Sequence, residues 1–295
     1  MNIYEVQPIF SHPTHPFGLT IDAPGSKSIT NRALMLAALA NGETLLKGAL
    51  FSDDSRHFLQ CLKDLGFDVV VDEPAHTVRV TGLGGRIPKE TAAINVGSAG
   101  TAARFLTAML GCAKGVWHLD ASEQMKKRPM AALLNTLTDL GCRIDCHEKE
   151  GYFPFTIYSE GITASEATVD IGDSSQFLSA LLMAAVMMDH DFAIHITGNH
   201  GFSYIHMTTA MMRQFGIEIS VSDDQTWRIP GNAAYQVVAH SRIDEEAWPG
   251  DHRAAYRQKN LSVPLRLCPI FSVAQVNTSA QSQCPAHAVA WLLHR

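Results

Sequence analysis

Three helix-like segments end on a glycine at one fixed interval. Leu65-Gly66, Leu140-Gly141 and Phe215-Gly216 each close a striped apolar pattern, and the glycines are 75 residues apart both times. Alternating, strand-like segments open directly after them with Phe67-Asp68, Cys142-Arg143-Ile144-Asp145 and Ile217-Glu218. Glycine just past the last periodic residue is a helix stop, because it adopts left-handed backbone at no steric cost. Recurrence at this spacing predicts a quasi-symmetric domain of three units.

Each unit holds two helices of different character. Ala33–Ala40, Ala102–Leu110 and Phe177–Met188 are apolar all round, whereas segments near 54–65, 129–140 and 204–215 are amphipathic. A helix without a polar face must be buried, and a striped one can cover a sheet from outside. The pattern predicts an α/β fold with three helices inside, and strands over 43–50 and 67–72.

In pseudo-threefold symmetry the inner helices run in one direction and their N-termini gather at one end. Those N-termini carry Ser26-Lys27-Ser28, Ser98-Ala99-Gly100-Thr101 and Ser174-Ser175-Gln176. Free amides, hydroxyls and dipoles, each contributing about 0.3–1 kcal/mol, would attract an anion there. Lys27, Arg32 and Arg104 have the wrong sign for a helix N-terminus, a conflict that a bound anion would resolve. Arg128, just before Pro129, is placed to grip a carboxylate if that proline begins the next helix.

Bland alternatives stand beside this one. Lys27 and Arg32 can reach solvent from a capped helix, and Lys126-Lys127-Arg128 can be a solvated loop. Asp53 and Asp54 are local carboxylates that also fit a helix cap. A nucleotide-binding P-loop is excluded, because Ser26 and Ile21 stand where its glycines belong.

Net charge of −6 over 295 residues argues against general nucleic-acid or membrane-surface binding, so any basic feature is local. The longest apolar run, Phe177–Met188, is broken by Ser179 and too short to span a bilayer. Cys61, Cys112, Cys142, Cys146, Cys268 and Cys284 form no CxxC pair and no zinc-type spacing with histidine, so free thiols of a reducing compartment and no metal are expected. Residues 1–6 lack the basic and apolar regions of a secretory signal, and a cytoplasmic location is expected.

Taken together, several motifs resemble the 3-phosphoshikimate 1-carboxyvinyltransferase (EPSP synthase) family. They are Pro24-Gly25-Ser26-Lys27-Ser28 with Asn31-Arg32, Ser52-Asp53-Asp54, Ser98-Ala99-Gly100-Thr101-Ala102 with Arg104, Met125-Lys126-Lys127-Arg128-Pro129, and Ser174-Ser175-Gln176-Phe177. The likeness covers roughly residues 1–235. It implies an inside-out α/β fold, with three βαβαββ repeats around buried parallel helices in each of two domains. The implied reaction moves the enolpyruvyl group of phosphoenolpyruvate to the 5-hydroxyl of shikimate 3-phosphate in aromatic amino acid biosynthesis. Carried over by matching position, Lys27, Gly100 and Arg128 belong to the phosphoenolpyruvate side. Lys27, Ser28, Arg32, Ser174, Ser175, Gln176 and Tyr204 belong to the shikimate 3-phosphate side, with Arg104 a supporting charge. Ser174 as a helix cap and Tyr204 as a core aromatic remain alternatives. No metal or organic cofactor is implied.

The chain also departs from the family pattern. Gly201-Phe202-Ser203-Tyr204 replaces a Ser-x-Pro-Tyr segment, and Phe105 follows Arg104 where some members have proline. The second domain should begin near Tyr235, yet the rest of the chain is too short for three more units. That remainder carries Pro249, Pro264, Pro269 and Pro285, six Lys or Arg against four Asp or Glu, and no sustained periodicity. The expected organisation is therefore strands of a hinge region over 1–22, a substrate-binding domain over 23–235 and an atypical, poorly ordered tail over 236–295. The family's acid and base residues would lie in the missing domain. The expected function is enolpyruvyl transfer in truncated or split form with a complementing C-terminal fragment, or else a non-catalytic remnant binding only shikimate 3-phosphate. The sister transferase acting on UDP-N-acetylglucosamine fits Lys27 and Ser174-Ser175-Gln176 worse.

Overall fold

The computed structural model of the chain describes residues 25–222 and 225–237, with the backbone of short strands at Gly18–Thr20, Ser241–Arg242 and Ser262–Pro264. Two compact units divide the chain, Met1–Ala23 with Gly250–Arg295, and Pro24–Pro249. Within the first, strands β1 (Gly18–Thr20) and β14 (Ser262–Pro264) pair antiparallel. The remaining expectations for 1–22 and for the tail lie outside the described residues.

The larger unit repeats one pattern. Its first segment runs α1 (Lys27–Leu39), β2 (Asn41–Lys47), α2 (Asp53–Asp64), β3 (Asp68–Asp72) and β4 (Thr77–Leu83). The second runs β5 (Thr91–Asn95), α3 (Gly100–Cys112), β6 (Gly115–Asp120), α4 (Ala131–Asp139), β7 (Arg143–Cys146) and β8 (Phe155–Ser159). The third runs β9 (Glu166–Asp170), α5 (Gln176–Ala184) with a 3-10 turn at Ala185–Met187, β10 (Phe192–Thr197), α6 (Phe202–Gln214), β11 (Ser220–Ser222) and β12 (Thr226–Ile229).

Sheet topology repeats with it. The second and third sheets have the orders β5-β6-β8-β7 and β9-β10-β12-β11, a parallel outer pair followed by an antiparallel hairpin. Among the described residues the first sheet takes no strand from before α1, and β13 (Ser241–Arg242) fills that place, parallel to β2 at Leu46 and Lys47. The compact unit that holds β13 runs to Pro249. A two-residue strand is too short to show a period.

The three glycines do the same work in each unit. Gly66, Gly141 and Gly216 have φ of 94°, 103° and 85°. Each donates its N–H to the carbonyl three residues back, of Lys63, Thr138 and Arg213, while the N–H of the following residue reaches the carbonyls of Leu62, Leu137 and Met212. These paired bonds satisfy carbonyls that α2, α4 and α6 would otherwise leave open.

Burial follows helix character. All of α3, Thr30–Leu39 of α1 and Phe177–Ala184 of α5 are buried. The outer helices bury one stripe each, such as Ser55, Phe58, Leu59, Cys61 and Leu62 of α2. One start differs from expectation: Pro129 does not open α4, whose cap is Met130. The Pro129 carbonyl accepts from Arg104 at 3.2 Å and the Met130 N–H bonds Gly151, which holds both residues outside the helix. None of the helices is long and apolar enough to cross a membrane among the described residues.

Candidate functional site

The inner helices meet level with one another at their N-terminal ends. Arg32, in the second turn of α1, lies 5.2 Å from the ring centroid of Phe105 in the second turn of α3 and reaches Ser179 Oγ of α5 at 3.5 Å. Arg104 of α3 lies 5.8 Å from the Phe177 ring, one residue into α5. Contacts between matching turns require parallel helices, so the three dipoles point the same way.

Two arginines are buried beneath that end. Arg32 is 2 % exposed; its Nε–H donates to Thr208 Oγ1 at 2.7 Å, Nη1 to the Ser28 carbonyl at 3.0 Å, and Nη2 to the Tyr204 carbonyl at 3.3 Å. It ties α1 to the start of α6 and faces aromatic rings on two sides. Arg104 is 3 % exposed and donates to the carbonyls of Gly100 and Pro129 and to Met125 Sδ, while its Nε is buried without a hydrogen-bond partner. Burial, and secondarily repulsion from Arg128, pull its pKa down to about 9. Among the described residues no carboxylate pairs with Arg104, so it is a source of unneutralised positive potential.

Arg128 is exposed and lies across the start of α3: a Cβ on Gly100 would come within 2.3 Å of its Nη1. Only glycine admits so close an approach. Lys126 is withdrawn from the site by Glu148, Glu123 and Asp120, at 3.0, 3.3 and 3.7 Å. The basic run therefore divides into one cation held by carboxylates and two exposed ones, Lys127 and Arg128.

At the start of α5, Ser174 Oγ accepts the Gln176 N–H at 3.2 Å, so it does act at the helix start. Ser175 is buried beside Gly201, and Gln176 Oε1 is buried with no hydrogen-bond partner. Tyr204 is no core aromatic: it is 50 % exposed, in the first turn of α6. Ser28 is half-buried above Arg32.

Lys27 begins α1, half exposed, and its Nζ stands 3.0 Å from Asp54 Oδ2. Asp54 is not the cap of α2. Ser52 is, in a reciprocal pair with Ser55, which frees Asp54 to turn toward Lys27. The conflict of a lysine at a helix N-terminus is thus met by a carboxylate of the chain itself.

Lys27, Ser28, Gly100, Arg104, Arg128, Ser174, Ser175, Gln176 and Tyr204 therefore share one end of the unit, with Arg32 a turn deeper. Pattern reasoning missed Asp54 as the partner of Lys27, and Thr208 and Ser179 as supports of Arg32. Ser179 had a signal, as the hydroxyl that interrupts an apolar run. Among the described residues, no three His, Cys, Asp or Glu side chains form a group that could hold a metal ion.

The profile of the family described as EPSP synthase (3-phosphoshikimate 1-carboxyvinyltransferase) matches residues 13–244. The 3-phosphoshikimate 1-carboxyvinyltransferase of Trichormus variabilis is 39% identical over 233 residues, 79% of this chain and 54% of that protein. That of Actinobacillus pleuropneumoniae serotype 3 is 42% identical over 221 residues, 73% of this chain and 51% of the relative. The chain spans about half the length of the curated relatives it matches. In structure it is similar to the EPSP synthase of Acinetobacter baumannii, with a TM-score of 0.66 at 23% identity, covering 76% of this chain and 49% of that one. With three repeats around buried parallel helices, the first completed by β13, and a profile match over most of its length, the chain belongs to the EPSP synthase family.

Proposed function

We propose that this chain forms the substrate-binding half of a 3-phosphoshikimate 1-carboxyvinyltransferase. The observation that carries the proposal is the meeting of three parallel helix N-termini with Lys27, Arg104 and Arg128 at one end of the unit. Phosphoenolpyruvate and shikimate 3-phosphate are both small polyanions, which such an end attracts.

Lys27, the Gly100 amide and Arg128 hold phosphoenolpyruvate, with the planar guanidinium taking the carboxylate in two-pronged fashion. Lys27, Ser28, Arg32, Ser174, Ser175, Gln176 and Tyr204 hold shikimate 3-phosphate: hydroxyls and amides meet its phosphate, and Gln176 Oε1 accepts from a ring hydroxyl. Arg104 adds charge from below without touching substrate. These groups orient the substrates and stabilise charge. Transfer also needs a proton delivered to the methylene carbon and one removed from the 5-hydroxyl. The family resemblance assigns those steps to a second domain, so the described residues are proposed to bind and orient the substrates and not to move the protons.

Phosphorus NMR of phosphoenolpyruvate titrated with the chain tests the binding half. A saturable shift that Arg128→Met removes is the expected result, and equal shifts for parent and variant would refute the assignment.

A further inference from the structure

We propose that Asp54 is a resident counter-ion of this site, which holds Lys27 while the site is empty and which an anionic ligand must displace. The inference rests on the preceding proposal that Lys27 belongs to the anion site. Three observations lead to it. Lys27 opens α1, where the dipole and its free amides already make the potential positive, and Arg32 and Arg104 lie buried on the same side. Asp54 Oδ2 is 3.0 Å from its ammonium. Asp54 is also released from capping, because Ser52 and Ser55 close the start of α2 between themselves.

Asp54 therefore acts on a ligand twice. Its charge repels any anion that approaches Lys27, in proportion to the charge of that anion. Its contact also occupies one ammonium donor that a phosphate oxygen would use. Against this, the pair orders a half-exposed lysine, an effect limited to the rotamers of one side chain. Repulsion of a dianion outweighs that ordering, so the carboxylate opposes binding. It keeps the empty site from being an unbalanced cluster of cations.

Titration calorimetry of inorganic phosphate at pH 8 into the full chain tests this, with Asp54→Asn, Asp53→Asn and Lys27→Ala as variants. Asp54→Asn is expected to tighten phosphate about three- to tenfold and acetate by less, since the dianion feels the lost charge twice over. Asp53→Asn shares the first turn of α2 but is not paired with Lys27, and should change phosphate binding less than twofold. In a Lys27→Ala background the gain from Asp54→Asn should shrink. Weaker or unchanged phosphate binding in Asp54→Asn would overturn the proposal. A second readout needs no ligand: acetylation of Lys27, followed by mass spectrometry, should be several-fold faster in Asp54→Asn, and an equal rate would also overturn it. Phosphate affinity unaffected by Lys27→Ala would instead refute the assignment of Lys27 to the anion site, and the acetylation rates would still decide whether Asp54 holds the lysine.

Discussion

Arg32 on the first inner helix donates to the hydroxyl of Thr208 on the last outer helix at 2.7 Å, joining residues 176 positions apart. That hydroxyl is wholly buried and sits 2.9 Å from the Tyr204 carbonyl and 3.0 Å from Ser179 Oγ, so one threonine fixes a cation, an inner helix and the start of α6.

Thr208→Val should therefore destabilise out of proportion to its size. It keeps the shape but removes the acceptor, leaving a buried guanidinium N–H without its partner. The expected loss is about 2–3 kcal/mol of unfolding free energy in a urea titration, with most of it recovered by Thr208→Ser.

Arg104→Met should move stability and binding in opposite directions. Arg104 is buried with no carboxylate paired to it among the described residues, and its pKa falls from the usual arginine range to about 9. A cation whose native pKa is depressed binds fewer protons folded than unfolded between those values. Its cost to stability is thus fully present below about 9 and fades as pH rises above that. The methionine variant should be about 1–3 kcal/mol more stable than the parent at pH 7, and the gap should narrow above pH 9. Phosphate binding at pH 8 should weaken at the same time, as read by calorimetry.

Gly100→Ala should spare the fold and damage the site. The added Cβ meets the far end of the Arg128 side chain, which can swing into solvent, and comes within 3.1 Å of Arg104 Nη1, which need give by only a few tenths of an ångström. Stability should change by less than about 1 kcal/mol, since alanine favours the helix. Phosphoenolpyruvate binding should fall about tenfold or more as the guanidinium leaves its place, measured by the phosphorus NMR shift.

The symmetry was legible because Gly66, Gly141 and Gly216, which take left-handed backbone, recur at one fixed interval. The apolar character of α1, α3 and α5 told which helices lie inside. Ser241–Arg242 was not legible as a strand, because its partner β2 is almost 200 positions earlier and two residues carry no pattern. The wrong-signed cations lie together at the N-terminal end of the inner helices, as their positions in the sequence suggested. Their present partners did not follow from sequence: whether Lys27 meets a ligand or Asp54 depends on where α2 begins, and Ser52 decided that by capping it. Pro129 suggested a helix start that the Arg104 bond to its carbonyl prevents.

Thiol reactivity should report the core. Burial pushes Cys61 and Cys112 up to about 12 and raises Cys142 as well, whereas Cys146 is only partly covered. At pH 8 the thiolate fraction of Cys61 and Cys112 is about one in ten thousand. Iodoacetamide followed by peptide mass spectrometry should label Cys146 in minutes and spare the other three until urea unfolds the chain.

One end of this unit is proposed as the shikimate 3-phosphate site. Calorimetric titration of the folded chain with that compound measures this, with phosphoenolpyruvate then added and phosphate release followed in the same sample. Saturable one-to-one binding, lost in Lys27→Ala, is expected, with no phosphate release from these residues alone. A folded chain that gives no binding heat with shikimate 3-phosphate would refute the assignment.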